Sequence, residues 1–199
     1  SSDGGYLPRP DTVIVRREAL RQWLWEKADG WNVKQQDGAL KAALLAHGFD
    51  LDPRAAIERM TEGEIETLIL HEEGELVAGP MLGGEWADML SGLQGKRAEI
   101  FARAVKDNLA DCLVTLPGLL ERGGGDSLHF WFATFDGLRR EMFPRLLAAY
   151  GSRVGAGDTA ILAVAKAGQA HFLDLARRLI EMDESAIEAL SHEAGSIAL

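Results

Sequence analysis

Apolar residues recur along most of the chain at intervals of three and four positions, the spacing that places them on one face of an α-helix. The pattern is clear at 32–48, 64–77, 96–116 and 158–181. Only a short β-branched run at 12–15 resembles a strand. The pattern therefore predicts an all-α protein, an irregular helical bundle of roughly seven to nine helices around one principal core.

Capping signals predict where several helices begin and end. A first helix is expected to end near Gly30. The segment 32–48 is expected to form a second helix, with Gly48 in the C′ position. A third starts at Asp52-Pro53, and Thr61 with Glu64 matches a capping box that opens another helix over 64–77. A short helix is expected within 80–92. Pro117 is predicted to end the 96–116 helix, and Pro144 to interrupt the helix that follows. Further N-caps are expected at Asp126, Asp158 and Asp183.

The organisation along the chain indicates a single domain. Residues 1–11 lack an apolar core and are interpreted as a flexible leader. Residues 12–195 form one all-α domain in this interpretation, with 158–195 as a C-terminal helical hairpin. Glycine-rich segments at 121–127 and 151–158 are expected to be linkers.

Composition and charge narrow the classes of function. The 199 residues carry 21 Lys and Arg against 31 Asp and Glu, a net charge of −10, which disfavours nucleic acid and anionic membrane as partners. The apolar runs are too short for a membrane helix. The one cysteine, Cys112, lies on an apolar helix face and is expected to be an inert core residue. The absence of a cysteine pair favours a reducing, cytoplasmic location.

The segment LHEEGEL (70–76) places several ionisable groups close together. On a helical wheel, Ile65, Leu68, Ile69 and Leu76 form the apolar face of this helix. Glu72 falls within that face, which predicts a buried carboxylate with a shifted pKa and makes it the candidate catalytic residue. His71 and Glu75, four positions apart, lie together at its edge.

The helix over 96–116 has a similar pattern. Asn108 lies among its apolar residues, which include Ile100 and Phe101, while Asp111 lies at the edge of that face. If this helix packs against 64–77, a buried polar network forms; its members are Glu72, Arg97, Asn108 and Asp111. If these groups are buried and hydrogen-bonded to one another, the network has a structural role. If they surround an open void, they form a candidate binding site.

The segment 127–143 is apolar around most of its circumference, as expected of a central helix. Its narrow polar face carries His129, Asp136 and Arg140. Such a face lines a cavity or an interface. In the helix 158–181, Gly168 lies on the apolar face and predicts a close contact with another helix.

Residues with the spacing of metal ligands are present, but no complete motif is. His71 with Glu75 has the i, i+4 spacing that lets two side chains share an ion. The segment HEEGE lacks the second histidine of a zinc-peptidase motif, and no histidine has a glutamate three residues before it, as di-iron bundles require. The candidate ligands of a divalent metal are His71, Glu75, Asp111 and His129.

Two hypotheses about function follow. In the first, the protein is a non-catalytic binding or interaction module. It would self-associate as a homodimer, because one chain is expected to leave the tryptophans and the aromatic segment 127–143 partly uncovered. In the second, it binds a small ligand, or is a metal-dependent enzyme, with a polar cavity. The residues expected to line that cavity are Glu72, His71, Glu75, Asn108, Asp111 and His129. Convergence of these groups around a void would favour the second hypothesis.

Overall fold

A computed structural model describes residues 13–34, 36–122, 125–152 and 158–199. These residues form helices and no strand, which confirms the all-α prediction. The helices are α1 (Arg17–Lys34), α2 (Ala39–Ala46), α3 (Pro53–Gly92), α4 (Lys96–Ala110), α5 (Leu116–Glu121), α6 (Gly125–Thr134), α7 (Gly137–Glu141), α8 (Pro144–Gly151), α9 (Thr159–Ile180) and α10 (Glu184–His192). A π-helical turn, Asp111–Thr115, joins α4 to α5, and a 3₁₀ turn, Ala194–Ile197, follows α10.

The buried apolar side chains form a principal core and a smaller one. The principal core joins α3, α4 and α9 and includes Phe101 and Phe172. The smaller core joins α1, α2 and the beginning of α3 around Leu24. In α6, Phe130 belongs to the smaller core, whereas the next residue, Trp131, belongs to the principal core. Helix α6 therefore lies where the two cores meet.

Several predicted helix ends are confirmed. The Asp52 carboxylate accepts a hydrogen bond from the Ala55 N–H at 3.1 Å, and Pro53 is the first residue of α3. Asp183 caps α10 in the same way, through the Ala186 N–H at 2.8 Å. Gly48 follows α2 with a φ of 73°, a left-handed conformation that glycine adopts without strain.

Other predicted boundaries are wrong because the helices are longer or shorter than the local signals imply. Helix α1 continues past Gly30 to Lys34, and the expected 32–48 helix is reduced to α2. Thr61 does not open a helix, because its hydroxyl donates to the Ile57 carbonyl at 2.7 Å inside α3. The short helix expected within 80–92 is present as the last part of α3, after a kink at Gly83, which has a φ of 75°. Residues 13–16 form no strand.

Segments near the predicted loops also differ. The expected 127–143 helix is divided, because α6 ends at Thr134 and α7 begins after Asp136. Asp126 lies in the first turn of α6 rather than at its cap, while Pro144 starts α8. The 1–11 leader and parts of the 121–127 and 151–158 linkers lie outside the described residues.

Helix α3 buries a different face from the one predicted. Leu68 is 41% exposed, Leu76 is 55% exposed and Glu72 is exposed, while Ile65 and Ile69 are half-buried. The positions that face the interior include Met60, Thr61, Glu64, Thr67, Leu70, Gly74, Ala78 and Leu82. The prediction that Glu72 is buried is therefore wrong. The wheel assigns the largest apolar residues to the interior, whereas the backbone at Ala110, the end of α4, comes so close to α3 at Gly74 that a side chain has no room there.

Pro117 does not end the helix that starts at Lys96. The π turn ends at Thr115, and the chain then continues as α5, with Pro117 in the first turn of that helix. A proline ring inside an α-helix clashes with the carbonyl four residues earlier, and the wider π turn relieves that clash. The Cys112 carbonyl in this turn accepts a hydrogen bond from the Gln169 side chain at 2.9 Å.

Two glycines permit close helix contacts around the π turn. A Cβ at Gly74 would lie 2.5 Å from the Ala110 carbonyl oxygen, and one at Gly168 would lie 2.5 Å from the Cys112 sulfur. The close contact predicted at Gly168 is thus confirmed. Cys112 is fully buried, and burial raises the pKa of its thiol, as expected for an inert core residue. No helix among the described residues has the length and apolarity needed to cross a membrane.

We expect Gly74→Ala to lower the free energy of unfolding by about 1–3 kcal/mol, because the added methyl group meets backbone rather than a movable side chain. The matched control is Gly30→Ala in α1, where no atom lies within 4 Å of the new methyl. This control should gain about 0.5–1 kcal/mol from the better helix propensity of alanine. Urea denaturation of both variants measures the difference, and equal effects would contradict the close-contact interpretation.

Candidate functional site

A cavity of about 280 Å³ lies between α1, α3, α6, α7 and the π turn. Half of its lining residues are aromatic or aliphatic, and the other half are polar groups on α3, α6, α7 and the π turn. The lining residues are Leu20, Trp23, Glu64, Thr67, Leu68, His71, Asp111, Phe130, Trp131, Thr134, Phe135 and Arg139. An apolar cavity with a few converging polar groups is the usual form of a small-molecule site.

Asp111 is the centre of the polar network in this cavity. Its side chain is 2% exposed, and its Oδ1 lies 2.9 Å from His71 Nδ1. Arg139 donates to the other carboxylate oxygen, Oδ2. Two helices and the π turn thus meet through one carboxylate, because α3 supplies His71 and α7 supplies Arg139.

The charges of this network stabilise one another. Burial disfavours the ionised form of Asp111, but the Arg139 charge and the hydrogen bond from His71 outweigh it and lower the pKa of Asp111. The hydrogen bond to Asp111 raises the pKa of His71. Because an ionised carboxylate only accepts, His71 Nδ1 carries the proton, and Nε2 is the ring nitrogen left for another partner.

Arg139 is held by aromatic rings as well as by Asp111. Its guanidinium carbon lies 5.4 Å from the Phe135 ring centre and 5.8 Å from that of Trp131, within the range of cation–π attraction. Asn108 supports the same residue from α4, donating to the Arg139 carbonyl at 3.1 Å. The Arg139 Nε atom is buried without a hydrogen-bond partner among the described residues.

Glu64 is the other buried carboxyl group in the cavity, and its environment differs from that of Asp111. The residue is 7% exposed, and no hydrogen bond or ion pair joins its side chain to another described residue. Burial alone raises its pKa to about 8. At neutral pH Glu64 is therefore mostly protonated, and a cationic partner entering the cavity would favour its ionised form.

Three side chains next to the cavity have the geometry of a cation site. One ligand atom each from His71, Glu75 and Asp107 lies within 4.8 Å of the others. His71 Nε2 is 3.8 Å from Glu75 Oε1, while Lys106 Nζ already lies 2.7 Å from Glu75 Oε2. Burial raises the pKa of Asp107. A divalent ion here would displace the Lys106 ammonium.

The structure brings together only some of the residues predicted for the site. His71 pairs with Asp111 and lies 3.8 Å from Glu75, while Asn108 contacts the Arg139 carbonyl. Of the six residues expected to line the cavity, His71 and Asp111 line it; Glu72, Glu75, Asn108 and His129 do not. Arg97 does not join them, because it donates to the Ser191 hydroxyl at 2.9 Å beside α10. His129 contacts the Tyr150 hydroxyl at 2.7 Å instead. The predicted four-membered network is therefore wrong in its membership.

Three site residues were missed by the helical wheel, each for an identifiable reason. The capping-box pattern places Glu64 at a helix start, but this residue lies inside α3, which begins at Pro53. Arg139 follows a break between α6 and α7 that gives no periodic signal. Asp107 has only its i, i+4 spacing to Asp111 as a signal.

Comparison with known proteins places the chain in a family. Residues 21–196 match a family of unknown function, the DUF6866 C-terminal domain. The chain belongs to this family. The matched range includes every residue that lines the cavity except Leu20. No curated protein and no solved structure matches the chain.

The Glu64 carboxyl should make stability depend on pH. Its pKa is about 8 in the folded state and near 4.5 in the unfolded state, so the folded protein holds one more proton between these values. Below pH 4.5 Glu64 is protonated in both the folded and the unfolded state, so its contribution to the free energy of unfolding has its full value there. Between pH 4.5 and about pH 8 this contribution to the free energy of unfolding falls by about 1.4 kcal/mol per pH unit, because only the unfolded state loses the Glu64 proton. Glu64→Gln removes this slope, because glutamine does not titrate.

Urea denaturation between pH 5.5 and 8.5 measures the effect as the difference between Glu64→Gln and the unmodified protein. Glu72→Gln on the exposed face of α3 is the matched control, and it should follow the unmodified protein at every pH. Parallel curves for all three proteins would show that Glu64 ionises in the folded state as it does in the unfolded state.

Proposed function

We propose that the protein binds a small organic molecule in the cavity between α1, α3 and α6. The observation that carries this proposal is Glu64, a buried carboxyl that lines the cavity and has no partner among the described residues. Folding ordinarily satisfies buried polar groups. The Glu64 oxygens are not among the fully enclosed unpartnered atoms of the described residues, so they open to the cavity, where a bound molecule can replace water as their partner.

The shape and chemistry of the cavity support this function. Its volume of about 280 Å³ suits a molecule of modest size, and four aromatic rings give it apolar walls. The Asp111–His71–Arg139 network holds one wall in place, since each member is fixed by at least one other. A preorganised wall lowers the entropy lost on binding.

The interaction-module hypothesis receives less support. It rests on aromatic side chains left uncovered, yet Phe130, Phe132 and Phe135 are between 1% and 4% exposed and Trp131 is 6% exposed. These residues form the core and the cavity wall. Self-association stays a prediction, and Trp23 of α1, which is 37% exposed, is a tryptophan that a partner could still cover.

The His71, Glu75 and Asp107 cluster favours a second candidate function, binding of a divalent metal beside the cavity. In metal sites a ligating histidine commonly donates its second ring N–H to a carboxylate, which orients the ring. Asp111 has this relation to His71 and leaves Nε2 towards Glu75. With the ion bound, the same cavity would support a metal-dependent enzyme acting on its ligand.

Ligand binding can be tested by narrowing the cavity at its exposed edge. Leu68 lines the cavity and is 41% exposed, so Leu68→Trp fills the entrance without replacing a buried core residue. A fragment library containing cationic, neutral and anionic compounds is screened by ligand-observed NMR. We expect some fragments to bind the unmodified protein and to bind Leu68→Trp at least about tenfold more weakly.

Leu76→Trp is the matched control for this screen, because it adds the same ring to the same helix outside the cavity. The control should bind the fragments as the unmodified protein does. If no fragment binds, or if both tryptophan variants bind equally, the cavity is not a ligand site.

The metal site is tested by elemental analysis of the purified protein after incubation with Zn²⁺ or Mn²⁺ and gel filtration. We expect one ion per chain, lost in His71→Ala and retained in His192→Ala, whose histidine lies on an exposed position of α10. A protein that retains no ion, or a His71→Ala variant that retains it, would contradict the metal site.

A further inference from the structure

The charged groups of the cavity other than Glu64 are matched within the protein. Asp111 pairs with Arg139 and accepts from His71, although the Arg139 Nε atom is left without a hydrogen-bond partner among the described residues. No basic side chain of α1 or α6 lines the cavity. Ionised Glu64 therefore adds a negative charge that no described residue neutralises.

The two threonine hydroxyls of the cavity offer acceptors to a ligand. Thr67 donates its one hydroxyl proton to the Gly63 carbonyl at 3.0 Å. Thr134 donates to the carbonyls of Phe130 and Trp131 at 3.2 and 3.1 Å. Because each proton is already used, only the oxygen lone pairs remain, and these favour a ligand group rich in N–H donors.

We infer that the ligand is a protonated amine on an aromatic or aliphatic body, with the ammonium group bound by the Glu64 carboxylate. This inference rests on the proposed small-molecule function. An ammonium group supplies both the positive charge and the three donors that this part of the cavity lacks. The Trp23 and Phe130 rings, in edge contact at 5.5 Å, provide apolar surface for the body of the ligand.

Binding of an ammonium ion changes the protonation of Glu64. The free protein holds the carboxyl mainly in its neutral form below about pH 8. The incoming cation favours the carboxylate, so the carboxyl proton passes to the buffer while the ammonium keeps its own proton. Near pH 6.5, binding should therefore release close to one proton for each ligand bound. Neutral or anionic ligands should not cause this release at Glu64.

Isothermal titration calorimetry at pH 6.5 tests the inference with 2-phenylethylammonium, 2-phenylethanol and 3-phenylpropionate. Each titration is run in two buffers of different ionisation enthalpy, which reports the protons released. We expect the ammonium compound to bind about 10- to 100-fold more tightly than the alcohol. Glu64→Gln should lose this preference and the proton release. Glu72→Gln, an exposed position on the same helix, should retain both.

The outcomes separate this inference from the proposed function. Alcohol or carboxylate binding that is as tight as ammonium binding, and that Leu68→Trp weakens, would overturn the amine inference and leave the cavity a ligand site. Equal ammonium affinity in Glu64→Gln and the unmodified protein would overturn it as well. If none of the three compounds binds and the fragment screen also finds no ligand, both proposals fail.

Discussion

The ionised carboxylate of Asp111 is the group on which the arrangement of the central helices depends. Transfer of an isolated carboxylate from water to a protein interior costs several kcal/mol, so Asp111 can be buried only with its partners present. Those partners, His71 and Arg139, come from α3 and α7. The requirement to neutralise one side chain therefore fixes how α3 and α7 meet the π turn, and it determines one wall of the cavity.

The backbone around Asp111 is adapted to this contact. Gly74 lets α3 approach the Ala110 carbonyl closely, which brings His71, one turn earlier, within 2.9 Å of the carboxylate. The π turn begins at Asp111 itself, and Pro117 shortly after it favours the wider turn over a regular helix. π turns within helices are frequent at functional sites. Here the turn places a charged group against a cavity.

The sequence predicted the class of fold and part of the site, and the failures have a common physical cause. Asn108 is buried as the wheel predicts, because α4 buries Phe101 and Val105, although Ile100 is 48% exposed. Asp111, expected at the edge of this face, is fully buried. The wheel misplaces Glu72 because the buried face of α3 between Met60 and Leu82 mixes Leu70 with glycine, alanine, threonine and Glu64, while Leu68 and Leu76 are exposed. Hydrophobic periodicity reports apolarity, whereas the buried face of α3 is selected by how closely its neighbours approach.

The contrast between the two buried carboxyl groups is the strongest argument for a ligand. Asp111 and Glu64 line the same cavity, and the described residues supply a cation and a hydrogen-bond donor to the first but neither to the second. A purely structural role for Glu64 is a poor explanation, since an apolar residue of similar size would avoid the cost of burial. Local departures from good packing are typical of functional positions. The protein thus retains at Glu64 a group whose charge is favourable only in the presence of a further molecule, and this is the property expected of a binding site.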